Sequence, residues 1–226
     1  MAAIGAIDKA KVLVVGDSGV GKTSLVHLIC HNEPCHNPSA TIGCSVEVKF
    51  HEFRAGTPAE KDYFLELWDI GGSSSHRNSR SIFYHQVHGI ILVHDLTNRK
   101  SHQNLRKWLA EVLNKDTDVR NNGKEIDPET FAGNQIPILV IGSKADSAEG
   151  LREQSTSRSS AVAEECGADE LKLDSMNVKY LAPGSTNSVK LTKFLDKVIE
   201  RRYSSNQVSG NRSPYDYSED YRDKFQ

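Results

Sequence analysis

Apolar runs recur along the chain at Lys11–Val15, Tyr63–Trp68, Gly89–His94 and Pro137–Gly142, with a weaker one at Glu170–Leu173. Each has the length of a strand, and the first, KVLVV, is β-branched and apolar enough to be buried on both faces. Amphipathic segments separate most of these runs. Thr23–Ile29 has helical spacing, Leu105, Trp108, Leu109, Val112 and Leu113 share one helical face, and Val189, Phe194, Val198 and Ile199 roughly share another. Strand alternating with helix predicts an α/β fold: a doubly wound, mostly parallel sheet with helices on both faces and its ligand at the carboxyl ends of the strands. One departure is expected. Val46–Phe53 and Lys61–Trp68 are joined by Arg54–Glu60, a Gly- and Pro-containing link, which predicts an antiparallel hairpin with a long loop. No internal repeat is visible.

Two stretches break the pattern. Residues 114–135 are polar and hold the turn signals Asn121-Asn122-Gly123 and Asp127-Pro128, which predicts a surface insertion before a buried strand. Residues 204–226 have almost no aliphatic side chains and are rich in Ser, Asn, Asp, Tyr and Arg, which predicts a disordered polar tail after a domain spanning 1–203. Tyr215, Tyr217 and Tyr221 lie there among acidic residues, as a solvated tail or as phosphorylation or docking points.

Composition narrows the class only slightly. The 226 residues, 37% of them hydrophobic, suffice for one substantial core. A formal net charge of −2 offers no basic footprint for nucleic acid or an acidic membrane. The first residues, MAAIGAIDKA, are too short and polar for a secretory leader, and no apolar run approaches the roughly 18 residues of a membrane span. The expectation is a cytoplasmic protein. The four cysteines, Cys30, Cys35, Cys44 and Cys166, lack C-x-x-C spacing, which suits a reducing compartment.

The chemistry concentrates just after the first strand. Gly16-Asp17-Ser18-Gly19-Val20-Gly21-Lys22-Thr23 fills G-x-x-x-x-G-K-[ST] between a strand and a helix, the arrangement in which backbone N–H groups and a helix N-terminus converge on phosphate oxygens. Ser18, Gly19, Val20, Gly21 and Ser24 belong to this cradle. Lys22 is placed to reach the β- and γ-phosphates, and the Thr23 hydroxyl to ligate Mg²⁺. Leu67-Trp68-Asp69-Ile70-Gly71-Gly72 ends a strand with D-x-x-G: Asp69 can hold Mg²⁺ through water, and the Gly72 N–H can approach a γ-phosphate. Ser143-Lys144-Ala145-Asp146 ends another as a relative of N-K-x-D, where Asp146 accepts the two donors of a guanine edge and the Lys144 stem lies along the ring. An adenine has no such donor pair. The order and spacing of the three motifs point to GTP or GDP with Mg²⁺.

These motifs, with Thr41-Ile42-Gly43, the phrase His88–Thr97 and the final amphipathic stretch Val189–Glu200, resemble the Rab-like small GTPases of the Ras superfamily, closest to the Rab-like protein three group. The resemblance runs from about Lys11 to Tyr203. It implies a single P-loop GTPase G domain and slow GTP hydrolysis. It also implies a Thr41 that closes over the γ-phosphate through Mg²⁺ in switch I, effector and regulator proteins at the switches, and a homodimer. In this frame the best match to the family's S-A-K loop is Leu173–Asn177, with Ser175 and Met176 giving backbone contacts to the guanine O6.

Three departures are informative. Ser73 stands where most members carry the glutamine that positions the attacking water, and is too short for that role, so unassisted hydrolysis is expected to be no faster than roughly 10⁻⁴ s⁻¹; nearby His76 reads first as an exposed switch residue and second as a substitute. Ser143 replaces an asparagine, so the hydrogen bond tying base loop to phosphate loop is expected to be lost or shortened, with weaker nucleotide binding and faster exchange. No cysteine follows Cys166 and Met1-Ala2 excludes myristoylation, so no direct lipid anchor is expected. A GTP-dependent scaffold with little hydrolysis remains the alternative to a switch, and a nucleotide kinase is opposed by Asp146. His27, Cys30, His31, Cys35 and His36 crowd the first helix and its exit; His27 and His31 have the i, i+4 spacing of a metal pair, although packing and switch I surface account for most of the cluster.

Overall fold

The computed structural model describes residues 8–113, 135–148 and 160–208, with side chains assigned through Tyr203. In chain order the elements are β1 (Lys9–Val15), α1 (Lys22–His31), β2 (Cys44–Phe53), β3 (Lys61–Ile70), α2 (Arg77–Arg80), β4 (Gly89–Asp95), α3 (Arg99–Gln103), α4 (Leu105–Leu113), β5 (Ile138–Ser143), α5 (Ala161–Glu165), β6 (Asp169–Lys172) and α6 (Thr186–Val208). The expected insertion over 114–134 and the tail beyond Val208, with its tyrosines, lie outside the described residues. The last helix continues past the boundary expected at residue 203.

The strands form one six-stranded sheet in the order β2-β3-β1-β4-β5-β6, parallel except for the β2–β3 hairpin. β3 and β4 flank β1 on opposite sides, which opens the ligand crevice at the carboxyl end of β1. Strand alternation sorts the core into two layers. Val12 and Val14 pack with Leu25, Val26 and Ile29 of α1 and with Leu191, Phe194, Leu195, Val198 and Ile199 of α6. Leu13 and Val15 pack on the other face with Leu105, Trp108, Leu109 and Val112 of α4 and Val162 of α5. Val189, expected on the buried face of the last helix, is 58% exposed, because Leu191 and Leu195 complete that face instead.

β2 inverts the usual alternation of an edge strand. Its polar residues Glu47, Lys49 and His51 are half-buried or buried under the helices, while Val46, Val48 and Phe50 are exposed. The Lys49 Nζ donates to the Ile29 carbonyl at 2.9 Å, and His51 Nε2 lies 2.7 Å from Asp196 Oδ1 of α6. The strand is therefore docked by polar contacts inward and left apolar outward.

Candidate functional site

The phosphate loop takes its shape from glycines. Gly19 and Gly21 have φ of +78° and +93°, in the left-handed region that side chains disfavour. Gly16 is needed for space, since a Cβ there would sit 2.1 Å from the Val93 carbonyl oxygen of β4. Gly21 is the N-cap of α1 and no side chain caps the helix, so its leading N–H groups face the loop without internal competition. Ser18 and Gly19 are exposed at the loop tip, Val20 is buried beneath it, and Ser24 is half-buried in the first helical turn. Lys22 folds back over the loop, its Nζ donating to the Gly16 and Asp17 carbonyls at 2.9 Å each. Burial pushes its ammonium down to about 8, against the opposing pull of Asp69 and Asp17 and with a smaller push from Arg80.

Three elements bring their oxygen ligands together. The Thr23 hydroxyl of α1 donates to Asp69 Oδ2 at 2.6 Å, the Thr41 hydroxyl donates to the same oxygen at 2.9 Å, and the two hydroxyls are 3.0 Å apart. Asp69 is 1% exposed, and its other oxygen, Oδ1, is buried without a hydrogen-bond partner. A buried carboxylate oxygen left unpaired is costly unless a cation or ordered water meets it. Two hydroxyls and a carboxylate are the hard oxygen donors that Mg²⁺ takes alongside waters and phosphate, so the set fits that ion.

Behind them, Gly71 donates its N–H to the Gly43 carbonyl at 2.8 Å, and a Cβ on Gly71 would meet the Thr41 carbonyl oxygen at 2.7 Å. Gly72 lies directly on the phosphate loop: a Cβ there would come within 2.4 Å of Ser18 N and 2.7 Å of Gly16 O. The Thr41–Gly43 stretch, the Gly71–Gly72 turn and the phosphate loop thus touch backbone to backbone. Ser73 turns its hydroxyl to Ser75 Oγ at 2.7 Å, and Ser75 Oγ is 3.3 Å from Nδ1 of the exposed His76.

The base loop decides between the two outcomes expected for Ser143. Ser143 is 1% exposed and its hydroxyl reaches both the Val20 carbonyl at 2.5 Å and the His94 carbonyl at 2.9 Å. The tie between base loop and phosphate loop is kept, because the end of β5 passes close enough to the loop for the shorter side chain. Lys144, with φ of +58°, sends its Nζ to Asp95 Oδ2 at 2.6 Å, while Thr97 donates to Asp95 Oδ1 from both N and Oγ1. These hydrogen bonds outweigh burial and hold the Asp95 carboxyl below its ordinary range. Ala145 is buried and bound to the Leu173 carbonyl, which presents the exposed carboxylate of Asp146, an acceptor for the Ser147 hydroxyl at 2.9 Å. Opposite, Ser175 is buried with its Oγ unpartnered. The Met176 N–H is committed to Asp174 Oδ1 at 2.8 Å, so the base contact expected from it has an internal competitor.

One network leaves almost no mark in the sequence. Asp17 of the phosphate loop accepts from Asn104 Nδ2 and Trp108 Nε1, both at 2.8 Å. Arg80, 3% exposed, stacks 4.3 Å above Trp108, forms a two-pronged pair with Glu111 at 2.9 and 3.0 Å, and donates from Nη1 to the Gly71 and Ser73 carbonyls. Tyr84 donates to the same Glu111 at 2.7 Å. The only trace in sequence is Trp108 on an otherwise aliphatic helical face.

A phosphate loop on β1, an Asp-bearing strand end on β3 and a base-reading loop on β5 define the class: a P-loop GTPase domain. The Ras family model matches residues 11–202, and the chain belongs to the Ras family of small GTPases, which are GTP hydrolases. Rab-like protein 3 of Homo sapiens is 53% identical over 215 residues, covering 90% of this chain and 91% of that protein. Rab-like protein 3 of Danio rerio is 50% identical over 216 residues, with 92% of each covered. Small GTPase LIP1 of Arabidopsis thaliana is 35% identical over 239 residues, covering 93% of this chain and 67% of that protein.

Proposed function

We propose that this small GTPase works as a slow GTP/GDP switch that recruits effector proteins through its switch surface. The observation that supports it is the meeting of Thr23, Thr41 and Asp69 within 3.0 Å of one another, with Asp69 Oδ1 buried and unpaired. Bound there, Mg²⁺ would supply positive charge to the β- and γ-phosphate oxygens. Thr41 sits on the loop between α1 and β2, so its engagement couples the state of the nucleotide to the position of that loop. Lys22 neutralises phosphate charge, Ser18 to Ser24 cradle it, Gly72 meets the γ-phosphate side, and Asp146 with Lys144, Ala145 and the Ser175 loop selects guanine. Ser73 is occupied with Ser75 and does not position water, which keeps hydrolysis slow.

Readout falls on the apolar strip beside the switches. Ile42 is 81% exposed, and Val46, Val48 and Phe50 continue it along β2, with Phe64 stacked edge-on against Phe50 at 6.0 Å. Contiguous exposed apolar surface of this kind fits protein partners. The same strip favours a second reading, a GTP-dependent scaffold or homodimer with little turnover.

Single-turnover hydrolysis of bound GTP, with and without cell extract, separates the two. The switch requires a rate near or below roughly 10⁻⁴ s⁻¹ that extract accelerates by orders of magnitude. GTP retained without hydrolysis under both conditions, together with GTP-dependent dimerisation, would establish the scaffold.

A further inference from the structure

The inward polar face of β2 holds one cluster that nucleotide chemistry does not use. Lys49 and His51 each meet a single partner on the covering helices, whereas Glu47 meets two imidazoles. His27 and His31 lie one turn apart on α1, their ring centroids 4.6 Å apart and tilted by 42°. Oε2 of Glu47 is 2.9 Å from His31 Nε2 and 3.9 Å from His27 Nδ1. One donor atom from each residue lies within 4.8 Å of the other two.

Those separations bracket what a metal requires. A tetrahedral ion with nitrogen and oxygen ligands at about 2.0–2.2 Å places its donors about 3.4 Å apart. The cluster is short of that on one edge and longer on another, a mismatch that small side-chain rotations remove. A plain His31–Glu47 hydrogen bond gives His27 no reason to face the same carboxylate oxygen. The backbone frame is already set, because Lys49 bonds the Ile29 carbonyl and α1 packs its Leu25, Val26 and Ile29 on the sheet.

We propose that His27, His31 and Glu47 form a binding site for one divalent transition-metal cation of the zinc class, with water completing its coordination. Two imidazoles and one carboxylate suit Zn²⁺, Co²⁺ or Ni²⁺ rather than Mg²⁺ or Ca²⁺, which take oxygen donors. The site is chemically distinct from the all-oxygen set of Thr23, Thr41 and Asp69. Its placement carries a consequence: His31 ends α1 and Glu47 lies near the start of β2, so the cation joins the two ends of the segment that bears Thr41.

The test is titration of the full-length, GDP-loaded protein with Co²⁺ and then Zn²⁺ in excess Mg²⁺, followed by absorption spectroscopy. One equivalent of Co²⁺ is expected to give weak d–d bands without a thiolate charge-transfer band, and Zn²⁺ to displace it. His31→Gln, His27→Gln and Glu47→Gln are each expected to weaken binding at least tenfold while retaining bound GDP. The His31 side chain is half exposed, so His31→Gln carries the test even if another variant fails to fold. A thiolate band, affinity unchanged in these variants, or no binding tighter than millimolar overturns the site. With metal bound, cleavage of residues 32–46 by a protease should slow severalfold in the wild type and not in His31→Gln; equal cleavage in both would remove the link to the Thr41 segment.

Discussion

Arg80 Nη1 donates to the Ser73 carbonyl at 2.9 Å, so a residue of α2 holds the backbone that directly follows Gly72. The same guanidinium is clamped by Glu111 and stacked on Trp108, whose indole N–H reaches Asp17 in the phosphate loop. The Gly71–Arg80 stretch and the phosphate loop are therefore joined through α4 as well as directly through Gly72.

Arg80→Met should destabilise the protein by on the order of 3 kcal/mol, because Glu111 is left partly buried with only Tyr84 and the exposed Arg77, 3.5 Å away, as partners. Urea denaturation measures this, and Arg80→Met with Glu111→Gln should recover much of the loss. A single variant as stable as wild type would show that the pair contributes nothing to the fold.

Ser143→Ala removes the one hydroxyl proton shared by the Val20 and His94 carbonyls, of which His94 keeps its place in the β4–β5 ladder. Leaving the buried Val20 carbonyl without this donor costs about 1–3 kcal/mol, and at roughly 1.4 kcal/mol per factor of ten the GDP off-rate should rise about tenfold. Fluorescent-nucleotide release gives the number directly.

Asp69→Ala removes the carboxylate on which both threonine hydroxyls converge. Chelation of Mg²⁺ should speed GDP release strongly in the wild type and barely in the variant. An equal response in both would place the ion elsewhere.

Gly72→Ala puts a methyl group 2.4 Å from Ser18 N, a backbone atom that cannot rotate away. The Gly71–Arg80 stretch must then shift off the phosphate loop. Hydrogen exchange of residues 71–84 should differ between GDP and a non-hydrolysable GTP analogue in the wild type and become alike in the variant.

His88 bridges β1 and β4, accepting the Lys11 N–H at Nδ1 at 2.9 Å. Burial, with the charges of Arg202, Arg201 and Lys11, pushes its imidazole from 6.5 down to about 4. The unfolded chain then binds the extra proton between those values, so the stability that His88 contributes is full above pH 6.5 and is lost as pH falls towards 4. His88→Asn keeps an acceptor but not the titration, and its melting temperature should fall less steeply across that window.

The alternation of apolar runs and amphipathic segments determined the α/β class, and the phosphate loop, D-x-x-G and S-K-x-D motifs determined the chemistry. Both are local: strand and helix periodicity, glycine conformations and motif spacing are written in neighbouring residues. Ser143 shows where that legibility stops, because whether a shorter side chain still spans two loops depends on a distance set by packing. Val189 and Leu191 make the same point, since a helical wheel does not say which edge of an apolar stripe meets the sheet. Arg80, Glu111, Trp108 and Asp17 come from separate parts of the chain, as do His31 and Glu47, and neither set as a whole forms a motif. Their pairing was decided only when the sheet brought α1 against β2 and α4 against the phosphate loop; at Arg80, 3% exposed, burial makes an unmatched charge costly enough to fix its partner.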